Sequence, residues 1–235
     1  MKANCKIQAP FFEVGPKAYL YGDAALELAL VAEEASAQIG VSVIYTPQLT
    51  DIYRISQRVS GLYLCAQHMD ALRPGKGQGS ILPEALVCSG AKCAMLNHAE
   101  RPLTLAALHA AVERAREVGL ISIVCADSIT EASAIAQLRP DIVVVEPTEL
   151  IGTGVTSDSA LIAASTQAVK RVDPDIQVLQ GAGISTADDV YRTILAGADA
   201  TGSSSAICKA ADPAKMLREM LRAARSAFDE RTNRK

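Results

Sequence analysis

Short apolar runs alternate with longer helical segments along the whole chain, and this alternation constrains the fold more than any other feature of the sequence. The predicted strands lie within residues 3–7, 41–46, 62–67, 93–97, 121–126, 141–146, 176–181 and 199–204. The predicted helices lie within residues 23–40, 51–60, 82–90, 102–119, 130–140, 159–172, 186–197 and 212–228. A helix follows each strand, and this order implies parallel strands joined by right-handed crossovers.

Eight strand–helix units in 235 residues favour a (β/α)8 barrel, an α/β fold, with residues 1–235 forming one domain. A doubly wound open sheet is the alternative. It is less favoured because no G-x-G-x-x-G motif follows the first predicted strand, and the best glycine cluster, residues 181–183, comes after the seventh. Apolar residues make up 49% of the chain and aromatic residues only 4%, so we expect a core of Val, Ile, Leu and Ala.

The charge balance argues against two classes of partner. A net charge of −3 offers no basic surface for nucleic acid or for an anionic membrane. The first residues lack the apolar stretch of a secretory signal, and no segment is apolar enough to span a bilayer, so we expect a cytoplasmic protein. The six cysteines form no C-x-x-C pair and have no histidine spacing suited to zinc, so we expect reduced cysteines that act as small apolar residues (Cys5, Cys65, Cys88, Cys93, Cys125, Cys208).

Polar residues collect where the predicted strands end, and in a (β/α)8 barrel the active site lies at that end of the strands. They come from the first strand (Asn4, Lys6), the fourth (Asn97, His98, Glu100) and the sixth (Glu146). Small residues follow the seventh strand (181–186) and the eighth (202–205). Loops at these two positions commonly bind phosphate, because Gly and Ser let backbone N–H groups approach an anion. The substrate is therefore predicted to be a small phosphorylated molecule.

These residue types suit proton transfer at a carbon next to a carbonyl group. Glu146 can remove the proton, His98 can hydrogen-bond the carbonyl oxygen, and the Lys6 ammonium can stabilise the negative charge that develops. Such a set predicts aldose–ketose isomerisation through an enediol(ate). The segment 147–154 after Glu146 is interpreted as a lid, with Pro147 stiffening its start and Gly152 and Gly154 allowing its end to move.

The sequence resembles the triosephosphate isomerase family, especially its short archaeal form, over nearly the whole chain. The similar motifs are "NCK" at 4–6, "AQHMD" at 66–70, "LNHAER" at 96–101, "VVVEPTELIGTG" at 143–154, "GAGISTADDV" at 181–190 and "AICKAADP" at 206–213. The resemblance implies interconversion of dihydroxyacetone phosphate and D-glyceraldehyde 3-phosphate, with Glu146 as base and a neutral His98 as electrophile, roles that belong to the family. It further implies that Lys6 and Asn4 contact the substrate and that Glu100 is a supporting acid. It implies neither a metal nor an organic cofactor. It assigns the phosphate to backbone N–H groups of Gly152, Gly183, Ser204 and Ser205.

Three segments depart from the family pattern. Ala99 stands where a serine usually follows the catalytic histidine. Residues 7–22, "IQAPFFEVGPKAYLYG", are unlike the family's usual first loop, and the eighth strand, "TGSSS", is more polar than usual. These departures leave two alternatives open: an isomerase of another short phosphosugar, such as a tetrulose phosphate, and a catalytically silent barrel that binds phosphosugars.

A homodimer or homotetramer is also expected. The loop at residues 67–80 is long for a strand–helix connection and rich in glycine, so it can dock into a neighbouring subunit.

Overall fold

The predicted (β/α)8 barrel is confirmed. The structure is a computed structural model, which describes residues 6–151, 153 and 156–234. In these residues eight parallel strands close into a barrel in chain order, with the eighth strand paired to the first. The strands are β1 (Phe11–Val14), β2 (Ser42–Tyr45), β3 (Tyr63–Ala66), β4 (Cys93–Leu96), β5 (Ile121–Ala126), β6 (Ile142–Val145), β7 (Gln177–Gln180) and β8 (Ala200–Ser203).

The predicted first strand, residues 3–7, was wrong, because β1 lies at Phe11–Val14. Phe11 joins the side chains inside the barrel and Phe12 packs under the helices outside, and both are fully buried. Ile7 lies below the strands, where Gln177 accepts a hydrogen bond from its N–H (3.2 Å) and donates one to its carbonyl (2.8 Å). The chain therefore closes the lower end of the barrel before β1 begins.

The helices surround the barrel and agree with seven of the eight predicted segments to within a few residues. They are α1 (Gly22–Ile39), α2 (Ile52–Ser56), α3 (Pro83–Cys88), α4 (Leu105–Val118), α5 (Ile129–Ala136), α6 (Ser159–Val172), α7 (Ala187–Leu195), α8 (Ser205–Cys208) and α9 (Pro213–Asn233). The last helix extends five residues beyond the predicted end at 228, and α8 was not predicted, because one helical turn is too short to produce a periodic pattern. Side-chain N-caps start α4, α5, α6, α7 and α9.

The core has two parts, one between strands and helices and one inside the barrel. The inner part includes Phe11, Ile44, Cys65, Cys93 and Cys125. Burial raises the pKa of the Cys65 and Cys125 thiols well above the ordinary value, so both act as small uncharged apolar groups. Among the described helices, none combines the length and hydropathy needed to cross a membrane.

Candidate active site

A cavity of about 800 Å³ opens at the carboxyl ends of the strands. It is lined by six of the predicted site residues: His98, Glu100, Glu146, Gly183, Ser204 and Ser205. It is also lined by Glu13 and Lys17, which sequence reasoning missed. The predicted Asn4 and Gly152 lie outside the residues that the structure describes.

Lys6 is not brought to this cavity. Its Nζ lies 2.5 Å from Oδ1 of Asp175, two residues before β7, so the pair is at the opposite, amino end of the strands. Both side chains are exposed. The shift of β1 explains this placement, because residues upstream of a strand meet the barrel at its lower end. The lysine that the first strand brings to the carboxyl end is Lys17, three residues after β1, and Arg101 and Lys209 also line the cavity.

Lys17 is fixed by contacts from two neighbouring strands. Its backbone has a left-handed φ of 48°, and its carbonyl accepts hydrogen bonds from Gln48 Nε2 (2.7 Å) and Gln67 Nε2 (3.0 Å). Its Nζ lies 2.8 Å from Glu100 Oε1. The apolar pair of phenylalanines followed by Gly-Pro-Lys is a strand-then-turn signal that makes residues 11–14 a second candidate for the first strand.

Glu146 follows β6 directly and folds over a glycine. A Cβ at Gly181 would lie 3.2 Å from the Cβ of Glu146, so a larger residue at that position would crowd the carboxylate. Glu146 Oε1 accepts a hydrogen bond from the Ala182 N–H (3.1 Å). Its Oε2 lies 3.6 Å from His98 Nε2, and both side chains are largely buried. The acid group and the imidazole from two predicted strand ends therefore meet in one place.

His98 has a defined tautomer in its neutral form. The Glu100 N–H donates to His98 Nδ1 (3.1 Å), so the ring proton belongs on Nε2, which points toward Glu146. Burial lowers the pKa of His98 most, and the nearby Lys17 lowers it further, against the opposing effects of Glu146 and Glu100. The ring is therefore a neutral hydrogen-bond donor at pH 7. Ala99 is exposed. Its side chain takes no part in the hydrogen bond from the Glu100 N–H to His98 or in the ion pair between Glu100 and Lys17.

Asn97 places His98 at the end of β4. Its backbone has a left-handed φ of 57°, and its amide donates to the carbonyl of Cys125 (3.0 Å) and to Glu131 Oε1 (3.2 Å). Its side-chain oxygen accepts from the Leu103 N–H (2.9 Å). These bonds tie the end of β4 to β5 and α5, so Asn97 is a positioning residue.

Glu13 extends from β1 into the floor of the cavity. Its Oε1 accepts a hydrogen bond from Thr46 Oγ1 at 2.5 Å. Burial raises the pKa of Glu13 to about 7; the Thr46 hydrogen bond opposes this, Glu146 adds to it, and Lys17 opposes it. Sequence reasoning missed Glu13 because residues 7–22 were interpreted as a loop.

Small residues after β7 and β8 form one wall of the cavity. Gly183 has a left-handed φ of 69°, which re-directs the chain after β7. The Ser203 hydroxyl donates to the Ile184 carbonyl (2.9 Å) and the Ser204 hydroxyl to the Gly15 carbonyl (2.5 Å). Because the hydroxyls hold the loops together, main-chain N–H groups, including those of the first turn of α8, are the groups available to an anion.

The segment after Glu146 begins as a short 3-10 turn at Thr148–Leu150. The Thr148 N–H donates to Asp127 Oδ1 (2.6 Å), which ties this turn to the loop after β5. Ile151 and Thr153 line the cavity. Gly152 and Gly154, the predicted flexible positions of the lid, lie outside the described residues. Among the side chains described, no group of three or more His, Cys, Asp or Glu residues could hold a metal ion.

Comparisons of the sequence and of the structure with known proteins agree with each other. Residues 17–220 match the family described as triosephosphate isomerase. Proteins named triosephosphate isomerase from Sulfurisphaera tokodaii and Methanosarcina mazei are 38% and 35% identical, over 96% and 91% of this chain and 100% and 98% of theirs. A crystal structure of triosephosphate isomerase from Bartonella henselae is 16% identical with a TM-score of 0.76, covering 93% of this chain and 100% of that one. This last likeness concerns the fold alone.

The family match and the two relatives span most of the chain. On this evidence the chain belongs to the triosephosphate isomerase family.

Proposed function

We propose that this protein is a cytoplasmic triosephosphate isomerase, which interconverts dihydroxyacetone phosphate and D-glyceraldehyde 3-phosphate. The observation that carries the proposal is the 3.6 Å approach of His98 Nε2 to Glu146 Oε2 beside Lys17, in a cavity whose other wall is built from Gly183, Ser204 and Ser205. A base, a neutral donor and a cation around one anion-binding wall are what a carbon-acid isomerase needs.

The phosphate binds first in this mechanism. Backbone N–H groups of Gly183, Ser204 and Ser205 hold it, and Gly152, at the lid, is predicted to add a fourth. Anchoring the phosphate fixes the three-carbon skeleton between Glu146 and His98, which turns proton transfer into a step within a single complex. Closure of the segment after Glu146 excludes water from the intermediate.

Glu146 then removes the proton from the carbon next to the carbonyl group. Its Oε1 must leave the Ala182 N–H, or share it, to reach that carbon. The His98 Nε2–H donates to the carbonyl oxygen, and the Lys17 ammonium stabilises the charge of the enediolate. His98 gives its Nε2 proton to the carbonyl oxygen and takes the proton of the neighbouring hydroxyl, so the enediol proton moves from one oxygen to the other. Glu146 then returns its proton to the neighbouring carbon, and the carbonyl and hydroxyl groups have exchanged places. Glu100 acts through Lys17 and His98, so it is a positioning residue.

The site proposed here replaces part of the set predicted from sequence. Lys17 takes the role assigned to Lys6, because Lys6 lies at the other end of the barrel. The predicted contact of Asn4 stays a prediction, because Asn4 lies outside the described residues, and Glu13 lies at the carboxyl end of the observed first strand.

Turnover on phosphosugars of different length tests the function. In a steady-state panel we expect efficient isomerisation of triose phosphates and much weaker isomerisation of tetrulose phosphates. The bound phosphate fixes the distance from the phosphate group to Glu146, and this distance suits a substrate of one length. Negligible triose activity beside efficient tetrose activity would assign the enzyme to the longer substrate. Binding of both without turnover of either would support a catalytically silent barrel.

We further propose that the protein is a homodimer or homotetramer that uses the loop at residues 67–80. The Asp70 N–H donates to the Ile81 carbonyl (3.0 Å) and the Ile81 N–H donates to Asp70 Oδ2 (2.7 Å), so these bonds close the base of the loop. Residues 73–80 beyond them are exposed. A projecting loop with a fixed base is suited to docking in a partner. Light scattering at micromolar concentration should find two or four subunits, and a monomer would contradict the proposal.

A further inference from the structure

Glu13 is a second acid group in the cavity, and the surrounding sequence leaves room for it. A Cβ at Gly202, its neighbour on β8, would lie 2.9 Å from the Glu13 Cβ and 3.0 Å from Oε2. A Cβ at Gly15 would lie 2.9 Å from Oε1. Two glycines therefore make the space that this carboxyl group occupies.

A glycine also makes space for the carboxyl group of Glu146, and this glycine follows β7, the neighbour of β8. Gly181 lies under Glu146 as Gly202 lies under Glu13. The two glycines follow Gln180 and Thr201, which are partners in the pairing of β7 with β8. Neighbouring strands are about 4.8 Å apart, so the two glycines are adjacent, and the two acid groups lie over them at the bottom of the cavity. Both acid groups line the cavity, and they are close enough for the charge of Glu146 to raise the pKa of Glu13.

One oxygen of Glu13 is available to such a ligand. Across the described part of the chain, its one hydrogen-bond partner is Thr46, which donates to Oε1 (2.5 Å). Oε2 therefore has no donor among the described residues. A ligand hydroxyl in the cavity can donate to this oxygen.

We propose that Glu13 is a substrate-contacting, specificity-determining residue whose carboxyl group binds the hydroxyl on the carbon next to the carbonyl, so that the cavity selects hydroxylated phosphates. The position of that hydroxyl rests on the proposed isomerase function. Glu13 then complements Glu146: one acid group holds the hydroxyl while the other moves the proton on carbon. A pKa of about 7 lets Glu13 accept a hydrogen bond when ionised and donate one when protonated.

The charge of Glu13 interacts with several other ionisable groups of the cavity. Lys17 and Glu146 face it across the cavity, and the thiols of Cys65, Cys125 and Cys208 are close enough to interact with its charge. Burial raises the pKa of all three thiols, that of Cys208 to about 11, so they stay neutral near pH 7. A change in hydroxyl binding near pH 7 that is lost when Glu13 is replaced therefore reports the titration of Glu13.

Direct calorimetric binding of three probes tests the proposal: glycerol 3-phosphate, which has two hydroxyls, propyl phosphate, which has none, and inorganic phosphate. In the wild-type protein glycerol 3-phosphate should bind more tightly than propyl phosphate. In Glu13→Met this preference should fall by about tenfold or more, because the hydroxyl loses a charged partner. The affinity for inorganic phosphate should not change. Glu27→Met, on the exposed face of α1, is the matched control and should retain the preference.

An unchanged preference in folded Glu13→Met would overturn the proposal, as would an equal loss for all three probes, which indicates a structural role. If Glu13→Met does not fold, Glu13→Gln decides through pH. The wild-type preference should rise as the pH rises through about 7, since an ionised carboxylate is the stronger acceptor, and Glu13→Gln should lose this rise. The rise persisting in Glu13→Gln, or its absence from the wild type, would refute the assignment. The calorimetric experiment measures binding and needs no turnover. Its outcome can therefore be distinguished from a failure of the isomerase assay.

Discussion

Replacing Glu146 by glutamine is expected to lower kcat by at least about a hundredfold, the usual size of a general-base contribution. The amide oxygen of glutamine can still accept the Ala182 N–H, so the side chain keeps its place over Gly181 while losing the ability to take a proton. Affinity for inorganic phosphate should stay near normal, because the phosphate wall does not involve this side chain. Steady-state turnover on dihydroxyacetone phosphate and competitive inhibition by phosphate measure the two effects.

Two further variants sharpen this experiment. Glu146→Asp keeps the charge but withdraws the carboxylate, and a displacement of about 1 Å at the reacting atoms can cost about a hundredfold in rate. Glu27→Gln makes the same chemical change on the exposed face of α1 and should leave turnover unchanged. If Glu146→Gln turns over at the wild-type rate, Glu146 is not the base and the proposed mechanism is wrong.

Replacing Lys17 by methionine is expected to lower kcat/KM by about a hundred- to a thousandfold, the usual effect of removing one group that stabilises a developing oxyanion. Methionine keeps most of the length of the side chain and removes its charge. Glu100 would also lose its partner at 2.8 Å. The imidazole of His98 accepts its hydrogen bond from the backbone N–H of Glu100, and the Glu100 carboxylate takes no part in that bond. The imidazole should therefore keep its orientation.

Lys6→Met is the control that separates the structural assignment from the one made on sequence. Lys6 pairs with Asp175 at the amino end of the barrel, and an exposed pair of this kind contributes little to stability. Its loss should leave both kcat and KM unchanged. The opposite pattern, a large effect at Lys6 and none at Lys17, would restore Lys6 to the active site and contradict the position of β1.

Glu146 and His98 could be placed from the sequence because each follows a strand that local patterns define well. The β-branched run before Glu146 predicts a buried strand, and the barrel rule then assigns its end to the active-site rim. The small residues after β7 and β8 were placed in the same way. In each case a side chain's position depended on the few residues around it and on the order of the units.

Lys17 and Glu13 could not be placed from the sequence, because their positions depend on where β1 begins. Residues 3–7 and 11–14 are both short segments with apolar members, and "NCK" resembled a family motif. The choice between them is made by contacts distant in the chain. Phe11 pairs with Ala200 and Val14 with Ser203, which close the barrel, and Phe11 fills its interior.

The sequence by itself determined the eight alternating units, the family, and the strand ends that carry the base and the imidazole, since these depend on local periodicity and chain order. Only the tertiary structure decided which lysine enters the cavity and that a second acid group shares its floor. The physical reason is register: closure of β8 on β1 fixes which residues of the first strand face inward, and a shift of a few residues sends a lysine to the opposite end of the barrel.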